Sequence, residues 1–361
     1  MEEEQTELIA THKFPCPECG GEAVWNAKKQ ALICPYCGVE SQVELTDDAS
    51  LIKEHDLLSA LGQSPEKDQE WSNERVSVKC QSCQAISLFI PGRVAQNCEF
   101  CGSSAVLAYG ATGTTIHPES LLPFMVPESE VREQMRKWYK TRWFAPNKLK
   151  RRALTDTVHG VYIPYWTFDA QVHADWSAQA GYYYYTTVNG RRTRHIRWRS
   201  VSGSLDHFFD DALVPGTRGV DLKLLQKAEP FPTHQLVPYD RGYVSGWVVE
   251  QYQLDLQGAA KAAQQNMQRE IKAMCARRVP GDTYRALMVY SDFSKQTFKH
   301  ILAPVWLLTY TYGRKSYQVI VNGYTGKIAG KHPLSWVKLF FTGLMILTIT
   351  CLIYYFIYPY L

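Results

Sequence analysis

The sequence predicts an α+β protein with two N-terminal four-cysteine modules, a β-rich aromatic domain with two or more helices, and one C-terminal transmembrane helix. Three observations support this fold class. The pattern C-x2-C-x14-C-x2-C occurs twice near the start of the chain. Short aromatic and β-branched runs bounded by Gly, Pro and Asn fill the middle, and an uncharged apolar run closes the sequence.

The composition is that of an ordered chain in a reducing compartment. Hydrophobic residues make up 45% of the 361 residues and aromatic residues 13%, which is ample surface for folded cores. The net charge of +4 is mild and does not by itself indicate nucleic acid. The acidic start "MEEEQTELIATHKF" lacks the basic and apolar regions of a secretory signal, so we expect the large N-terminal part in the cytosol.

Eight of the ten cysteines form four C-x-x-C pairs, which in a reducing compartment are typical metal ligands. Each set of four has the spacing of a zinc ribbon, in which two knuckles joined by a short hairpin surround one ion. The predicted ligands of two structural zinc ions are Cys16, Cys19, Cys34, Cys37, Cys80, Cys83, Cys98 and Cys101. Iron in a rubredoxin-like knuckle pair is the main alternative, and a thioredoxin-like redox role is weaker.

The residue that follows each knuckle also supports the metal-site prediction. Gly20, Gly38 and Gly102 stand where a knuckle commonly requires a positive φ, and Gln84 departs from that pattern. Units this small bury little core, so metal binding is expected to supply most of their folding free energy, on the order of 10 kcal/mol per site.

Composition shifts divide the chain into six parts. They are an acidic tail (1–15), a first zinc ribbon (16–45), an acidic linker with a short helix (46–75), a second zinc ribbon (76–110), a β-rich α+β domain (111–336) and a transmembrane tail anchor (337–361). The linker helix is expected to start at Thr46, its N-cap, and to stop at Gly62.

The β-rich part contains two strong hairpin signals, one at Asn189-Gly190 and one at Asn322-Gly323. The first is expected to turn a meander of two or three strands. Each of these regions starts with Pro-x-Trp, which suggests two related β-halves. Two helices are predicted, one starting after Pro127 and one over "LDLQGAAKAAQQNMQREIKAMCARR".

Two segments interleave cations with aromatic residues. The possible surface for an anionic partner comprises Arg191, Arg192, Arg194, Arg197, Arg199, Lys148, Lys150, Arg151 and Arg152. Such a surface suits anionic lipid, an acidic protein or nucleic acid, and it is also compatible with an ordinary solvated face.

The run from Leu339 to Tyr358 has no charged residue and, as a helix, would span roughly 30 Å, the hydrocarbon thickness of a bilayer. A buried core helix is the alternative. Lys327, Lys331 and Lys338 precede the run, and by the positive-inside rule this predicts a single-pass, tail-anchored protein of the inner cell membrane with its large domain in the cytoplasm.

Two CPxCG-type ribbons, the segments "IPYWTFDA", "LVPYD" and "VNGYTGK", and the C-terminal apolar span resemble a bacterial family of membrane-anchored double zinc-ribbon proteins. The family is YdjG-like, and many members are labelled primosomal-helicase-like or TFIIB-type zinc-ribbon proteins. The resemblance covers most of the chain. It implies a place in a membrane-stress module with phage-shock protein A or SPFH-type scaffolds as partners.

Taken together, these features predict a membrane-tethered adaptor or scaffold without enzymatic activity that binds protein partners at the cytoplasmic face. The alternative is a membrane-held nucleic-acid-binding protein without helicase activity, since the sequence has no phosphate-binding loop. The acidic segment "SLDHFFDDALVPG" holds Asp206, His207, Asp210 and Asp211. We interpret it as caps and turn formers, and we predict no catalytic residues.

Overall fold

The computed structural model describes residues 14–41, 48–62, 76–89, 97–109, 116–146, 158–188, 190–312 and 315–357. The strands within these ranges are β1 (Val24–Asn26), β2 (Ala31–Ile33), β3 (His55–Asp56), β4 (Val76–Cys80), β5 (Ile86–Phe89), β6 (Val106–Tyr109), β7 (Ser120–Leu121), β8 (His159–Val188), β9 (Arg191–Pro215), β10 (Val237–Pro238), β11 (Val248–Glu250), β12 (Thr283–Tyr312), β13 (Lys315–Asn322) and β14 (Ile328–Gly330). The α-helices are α1 (Leu57–Gly62), α2 (Glu128–Lys140), α3 (Leu222–Ala228), α4 (Leu256–Arg278) and α5 (Trp336–Ile357). Two 3-10 turns cover Ala49–Leu51 and Thr233–Gln235.

Two long antiparallel strands form the spine of the molecule. β8 and β12 have 30 residues each and pair along nearly their whole length. The large sheet follows the order β10-β7-β12-β8-β11-β5-β4-β6, with β9 added to β8, β3 and β13 to β12, and β14 to β13. The hairpin β1-β2 forms a separate two-stranded sheet. The α+β class and its two N-terminal four-cysteine units are therefore confirmed.

The first part of β8 is buried on both faces, and the second part on one face only. Buried side chains are continuous from Val161 to Ala170 and then alternate with exposed ones as far as Ala180. This change marks where the spine leaves the body and continues as a projection, which we call the arm: residues 170–188 of β8, 191–209 of β9 and 283–294 of β12. The meander predicted at this place is a single hairpin of two much longer strands, and β12 pairs with its first strand.

Helix α4 covers one face of the arm because its small and apolar residues recur every fourth position. Ala259, Ala263, Met267, Ile271 and Cys275 are buried against the arm side chains in one core. The helix begins at Asp255, whose carboxylate accepts a hydrogen bond from the Gly258 N–H at 2.9 Å. The opposite face of the arm carries polar and exposed apolar side chains and remains open.

A group of buried charges fixes the root of the arm. The β8-β9 and β8-β12 ladders each shift register here, at residues with positive φ, Asp211 and Lys295. The Lys299 ammonium lies 2.9 Å from an Asp211 oxygen and 3.0 Å from a Glu54 oxygen. Asp169 accepts hydrogen bonds from the Asp211 N–H at 2.6 Å and the Thr297 hydroxyl at 3.0 Å. The Asp169 carboxylate thereby satisfies the Asp211 N–H, a backbone group that the bulge in β9 releases.

The predicted linker helix is wrong in extent. Its N-cap, Thr46, lies outside the described residues, and the segment after it forms a 3-10 turn and then β3 before α1 starts at Leu57. β3 pairs with Thr297 and Phe298 of β12, and His55 contacts Glu119 at 2.9 Å. Pairing with the spine therefore outweighs local helix propensity in this segment.

The predicted helices and hairpin turns agree with the structure. The two predicted helices correspond to α2 and α4, and α3 was not foreseen. At the second hairpin signal, the Asn322 side-chain oxygen accepts hydrogen bonds from the N–H groups of Tyr324 and Thr325, both at 2.9 Å. The first hairpin signal, at Asn189-Gly190, is confirmed because Val188 pairs with Arg191 in the β8-β9 ladder. Asn189 itself lies outside the described residues.

Candidate metal centres

The four cysteines of the first module converge on one point. The Sγ atoms of Cys16 and Cys37 are 3.4 Å apart, those of Cys19 and Cys34 are 3.5 Å apart, and all four lie within 4.8 Å of one another. Four sulfurs bound to zinc at about 2.3 Å would be separated by about 3.8 Å along each edge of a tetrahedron. The cluster therefore has the size of a four-sulfur metal site.

The second module repeats this arrangement. The Sγ atoms of Cys80 and Cys101 are 3.6 Å apart, as are those of Cys83 and Cys98, and the four again lie within 4.8 Å of one another. In both clusters the first cysteine of each knuckle is buried and the second is more exposed. Both groups of cysteines predicted as ligands are thus brought together, and each could hold one metal ion.

The knuckles have the backbone geometry expected from the sequence. Gly20, Gly38 and Gly102 have φ values of 70°, 75° and 73°. Gln84, the departure from the glycine pattern, adopts the same left-handed conformation with φ of 65°. Its side-chain amide donates a hydrogen bond to the Gln81 carbonyl at 2.8 Å, which holds the Cys80–Cys83 knuckle in this conformation.

Backbone N–H groups of the knuckles are directed at the sulfurs. The N–H of Cys37 is the main cause that lowers the pKa of Cys34 to about 6. In the second module a hydrogen bond from Cys83, followed by knuckle N–H groups, lowers the pKa of Cys98 to about 5. Burial, which disfavours the charged thiolate, raises the pKa of Cys101 to about 11, and the charge of Cys98 acts in the same direction. The donor set fits a divalent ion bound by thiolates.

The first module packs on the body through Trp25. This side chain is 5% exposed, donates its indole N–H to the Phe124 carbonyl at 3.2 Å, and meets the Tyr243 ring edge-on at 4.8 Å between ring centroids. A Cβ atom on Gly246 would come within 2.7 Å of the Val24 side chain, so Val24 packs this closely on the body only because residue 246 is glycine. A cavity of about 280 Å³ remains between the module and the body, beside Trp247.

The second module is part of the large sheet. β5 pairs with β11 through Leu88 and Val249, and β11 pairs with β8. Phe100, in the last knuckle, is completely buried in a core shared with the body, and its carbonyl accepts the Thr309 hydroxyl at 2.6 Å. The first four-cysteine module is therefore packed on the folded body, and the second is continuous with its sheet.

Five of the predicted basic residues lie at the end of the arm. Arg192 and Arg194 stack over the rings of Tyr185 and Tyr183, at 3.9 and 4.5 Å from the ring centroids. Arg197 and Arg199 approach Tyr184 and Tyr182 at 5.7 and 5.8 Å, and Arg191 opens strand β9. The other four predicted basic residues, Lys148, Lys150, Arg151 and Arg152, lie outside the described residues.

The acidic segment of β9 does not form one site. Asp206 and His207 are consecutive in a strand and point to opposite faces of the arm, and Asp211 belongs to the ion cluster at the root. Asp206 instead binds His173, a residue that the sequence did not single out, at 2.7 Å between oxygen and Nδ1. This contact is the main cause that raises the pKa of His173. The pair could have been predicted only from the register of the β8-β9 ladder, in which His173 lies opposite Asp206.

Helix α5 is the one helix among the described residues that is long and apolar enough to cross a membrane. The qualifying span is Trp336–Tyr354, with a mean hydropathy of 2.0, and none of it is buried in the protein. The buried core helix is therefore excluded for this span. The Ser335 N–H donates to the Phe144 carbonyl at 2.7 Å, and the Lys338 ammonium contacts the Trp143 and Ala145 carbonyls at 2.9 and 2.8 Å. These contacts fix the helix start to the segment after α2.

The fold and sites define a protein with two four-cysteine clusters built into a β-rich body and an exposed apolar C-terminal helix. One known protein is similar to this chain over most of its length. The protein is 26% identical over 332 residues to the uncharacterized protein YdjG of Bacillus subtilis (strain 168), which covers 89% of this chain and 90% of that one. This similarity supports the YdjG-like resemblance seen in the sequence. No protein-family model and no solved structure matches the chain.

Proposed function

We propose that the protein is a membrane-anchored adaptor that is folded around two structural zinc ions. The observation that carries this proposal is that four cysteine sulfurs lie within 4.8 Å of one another in each cluster, which is the number of ligands that a structural zinc ion takes. Catalytic zinc sites keep a position for water or substrate, and a four-thiolate set offers none. Each ion then serves to hold its module in the conformation that packs on the body.

Membrane anchoring rests on α5. Its 22 residues give a length of about 33 Å, which matches the hydrocarbon core of a bilayer. Lys327 and Lys331 precede α5 and Lys338 lies in its first turn, and these lysines favour a body on the cytoplasmic side by the positive-inside rule. In this arrangement the protein binds membrane lipid through α5.

The arm is the feature best suited to reach a protein partner. α5 follows β14, and the Tyr310 hydroxyl binds the Lys331 carbonyl, so the helix leaves the body near the end of β12 that is opposite the arm. The 30 residues of β12 have a contour length of roughly 100 Å. Partners of the phage-shock protein A or SPFH-scaffold type, which the family resemblance implies, would meet this projection on the cytoplasmic side.

Three measurements on the full chain test the proposal. Metal analysis should return two equivalents of zinc, and a variant without 336–361 should leave the membrane fraction. Partner capture from detergent extracts should depend on the arm, so we compare the parent with a variant in which 183–196 is replaced by Asn-Gly. That replacement joins Tyr182 to Arg197, which already face each other in the ladder. Identical partner lists for the two would refute the adaptor role of the arm.

A second candidate function is nucleic-acid binding, because stacked arginine and tyrosine side chains at the arm end suit phosphates and bases. Phosphate contacts are strongest at low ionic strength. Binding of random oligonucleotides at low salt that disappears in an Arg192→Ala, Arg194→Ala variant would support this candidate, and no detectable binding would refute it.

A further inference from the structure

We propose that the open face of the arm is a self-complementary surface, on which a second copy of this chain packs with its arm in the antiparallel direction. The open face is the face opposite α4. Its side chains are the odd-numbered positions 171–187 of β8 and the even-numbered positions 192–208 of β9. This inference goes beyond the proposed adaptor function and depends on neither zinc nor the membrane.

The open face carries opposite charges at its two ends. At the arm end, Arg192 and Arg194 project from β9 and stack on tyrosines of β8. Toward the root, Asp206 and Asp175 lie at 2.7 and 3.7 Å from the ring nitrogens of His173, and Asp292 acts on the same imidazole from β12. A cationic end and an anionic end on one face make that face complementary to itself when two copies run in opposite directions.

The register of the β8-β9 ladder places these charges at equal distances from one point. Ser200 pairs with Gln179. Arg194 stands six positions before Ser200 on β9, and Asp206 stands six positions after it. A two-fold axis that crosses the strands at the Gln179-Ser200 pair therefore puts β9 over β9 and Arg194 of each copy over Asp206 of the other. One interface contains this contact twice.

The side chains between the charged ends suit close packing of two sheets. Ser177, Ser200, Ser202 and Ser204 are small and lie from the centre of the open face toward the root. Trp198 lies on the other side of the centre, with the Arg285 guanidinium 4.1 Å from its ring centroid and hydrogen-bonded to the Gln179 side chain at 2.7 Å. Large apolar side chains lie around the serines, and three of these are strongly exposed: Tyr290 at 75%, Met288 at 56% and Phe208 at 53%. Exposed apolar side chains grouped on one face of a sheet are characteristic of an interaction surface.

The area of the open face is adequate for a weak but specific dimer. Twelve residue steps along the ladder and two to three strands give about 40 Å by 10 to 14 Å, or roughly 1,000 Å² buried in total over both copies. Specific interfaces start at about this size. The same charge distribution disfavours nucleic acid, because a phosphate backbone lying along the open face would meet three carboxylates near the root.

The test measures self-association of the full chain in detergent by sedimentation equilibrium over a dilution series. Arg194→Asp alone and Asp206→Arg alone should each weaken dimerisation by about tenfold or more, because each change places like charges together twice per dimer. The variant that carries both changes should regain dimerisation, since the charge pair is restored in reversed order. Arg197→Asp, on the other face of the same hairpin, is the matched control and should dimerise like the parent.

Cross-linking provides a second readout that does not depend on charge. Ser200→Cys puts a thiol near the proposed axis in both copies, so mild oxidation should yield a covalent dimer absent from the parent. Arg199→Cys, one residue away on the opposite face, should yield none. Circular dichroism of each variant confirms that the fold is retained.

Several results would overturn the proposal. They are a parent that remains monomeric at every concentration, a double charge variant that stays as weak as the single ones, and cross-linking at position 199 but not at 200. Dimerisation through α5 would leave Arg194→Asp identical to the parent, which also contradicts the proposal. A monomeric parent that binds duplex oligonucleotides or anionic vesicles through Arg192 and Arg194 would assign the surface to those ligands instead.

Discussion

Replacing Trp25 by alanine tests whether the first module is held to the body by packing. The indole is 5% exposed, and its removal would enlarge the cavity of about 280 Å³ that it already borders. Large-to-small changes of a buried tryptophan cost about 3–5 kcal/mol, and this range includes the lost contact with Tyr243. The Phe124 carbonyl keeps its second donor, the Gln30 side-chain amide at 3.0 Å, so no unsatisfied acceptor adds to that cost.

Urea unfolding of the full chain, followed by far-ultraviolet circular dichroism, gives the change in unfolding free energy. Limited proteolysis should at the same time show earlier cleavage inside the first module. Tyr36 is the matched control because it belongs to the same module and is 82% exposed, so Tyr36→Ala should change stability by less than about 0.5 kcal/mol. A Trp25→Ala variant within about 1 kcal/mol of the parent would show that the module is not docked as described.

Three further predictions concern the metal sites and the charged groups of the arm. Serine in place of Cys80 or of Cys16 should each remove one equivalent of zinc and leave the other, as measured by metal analysis; loss of both from one substitution would contradict independent sites. Asp206→Asn should lower the pKa of His173 toward 6.5 in an NMR titration, because the carboxylate raises it in the folded state. The stabilisation from this pair is therefore present at low pH and lost as the pH rises through the raised pKa of His173. Lys299→Met should cost about 3–5 kcal/mol in urea unfolding, since it leaves a buried carboxylate without its cation, and a neutral result would argue against the ion cluster at the root.

The features that the sequence predicted well are those set by local spacing. Two residues between cysteines fix a knuckle whatever surrounds it, and the left-handed positions follow from the same turn. Helix α4 is equally local, because residues at every fourth position, such as Ala263 and Met267, define its buried face. The turn at Asn322 depends on the side chain of that residue alone.

The features that the sequence did not predict depend on distant partners. Alternation between Val172 and Ala180 indicates a strand, but nothing in it shows that the strand is continuous with the fully buried segment before it. β3 exists because β12 offers a free edge at Thr297 and Phe298, and the root cluster joins Glu54 to Lys299 across most of the chain. Such pairings come from tertiary packing, which outweighs local preference.

Strand β8 connects the second four-cysteine module to the arm, and this connection bears on what a zinc ion in that module would do. β8 pairs with β11 at Val161 and Tyr162, and β11 in turn pairs with β5 of the second module. The same strand then passes the root cluster and enters the arm, where α4 and β12 hold it. Loss of the second ion would therefore free the edge of β11 that pairs with β5, while β8 and the contacts that hold the arm would remain. The cysteines and the surface of the arm therefore lie in different parts of the molecule. If a cysteine variant loses partner binding, we expect the cause to be unfolding of the body and not the loss of a direct contact with the partner.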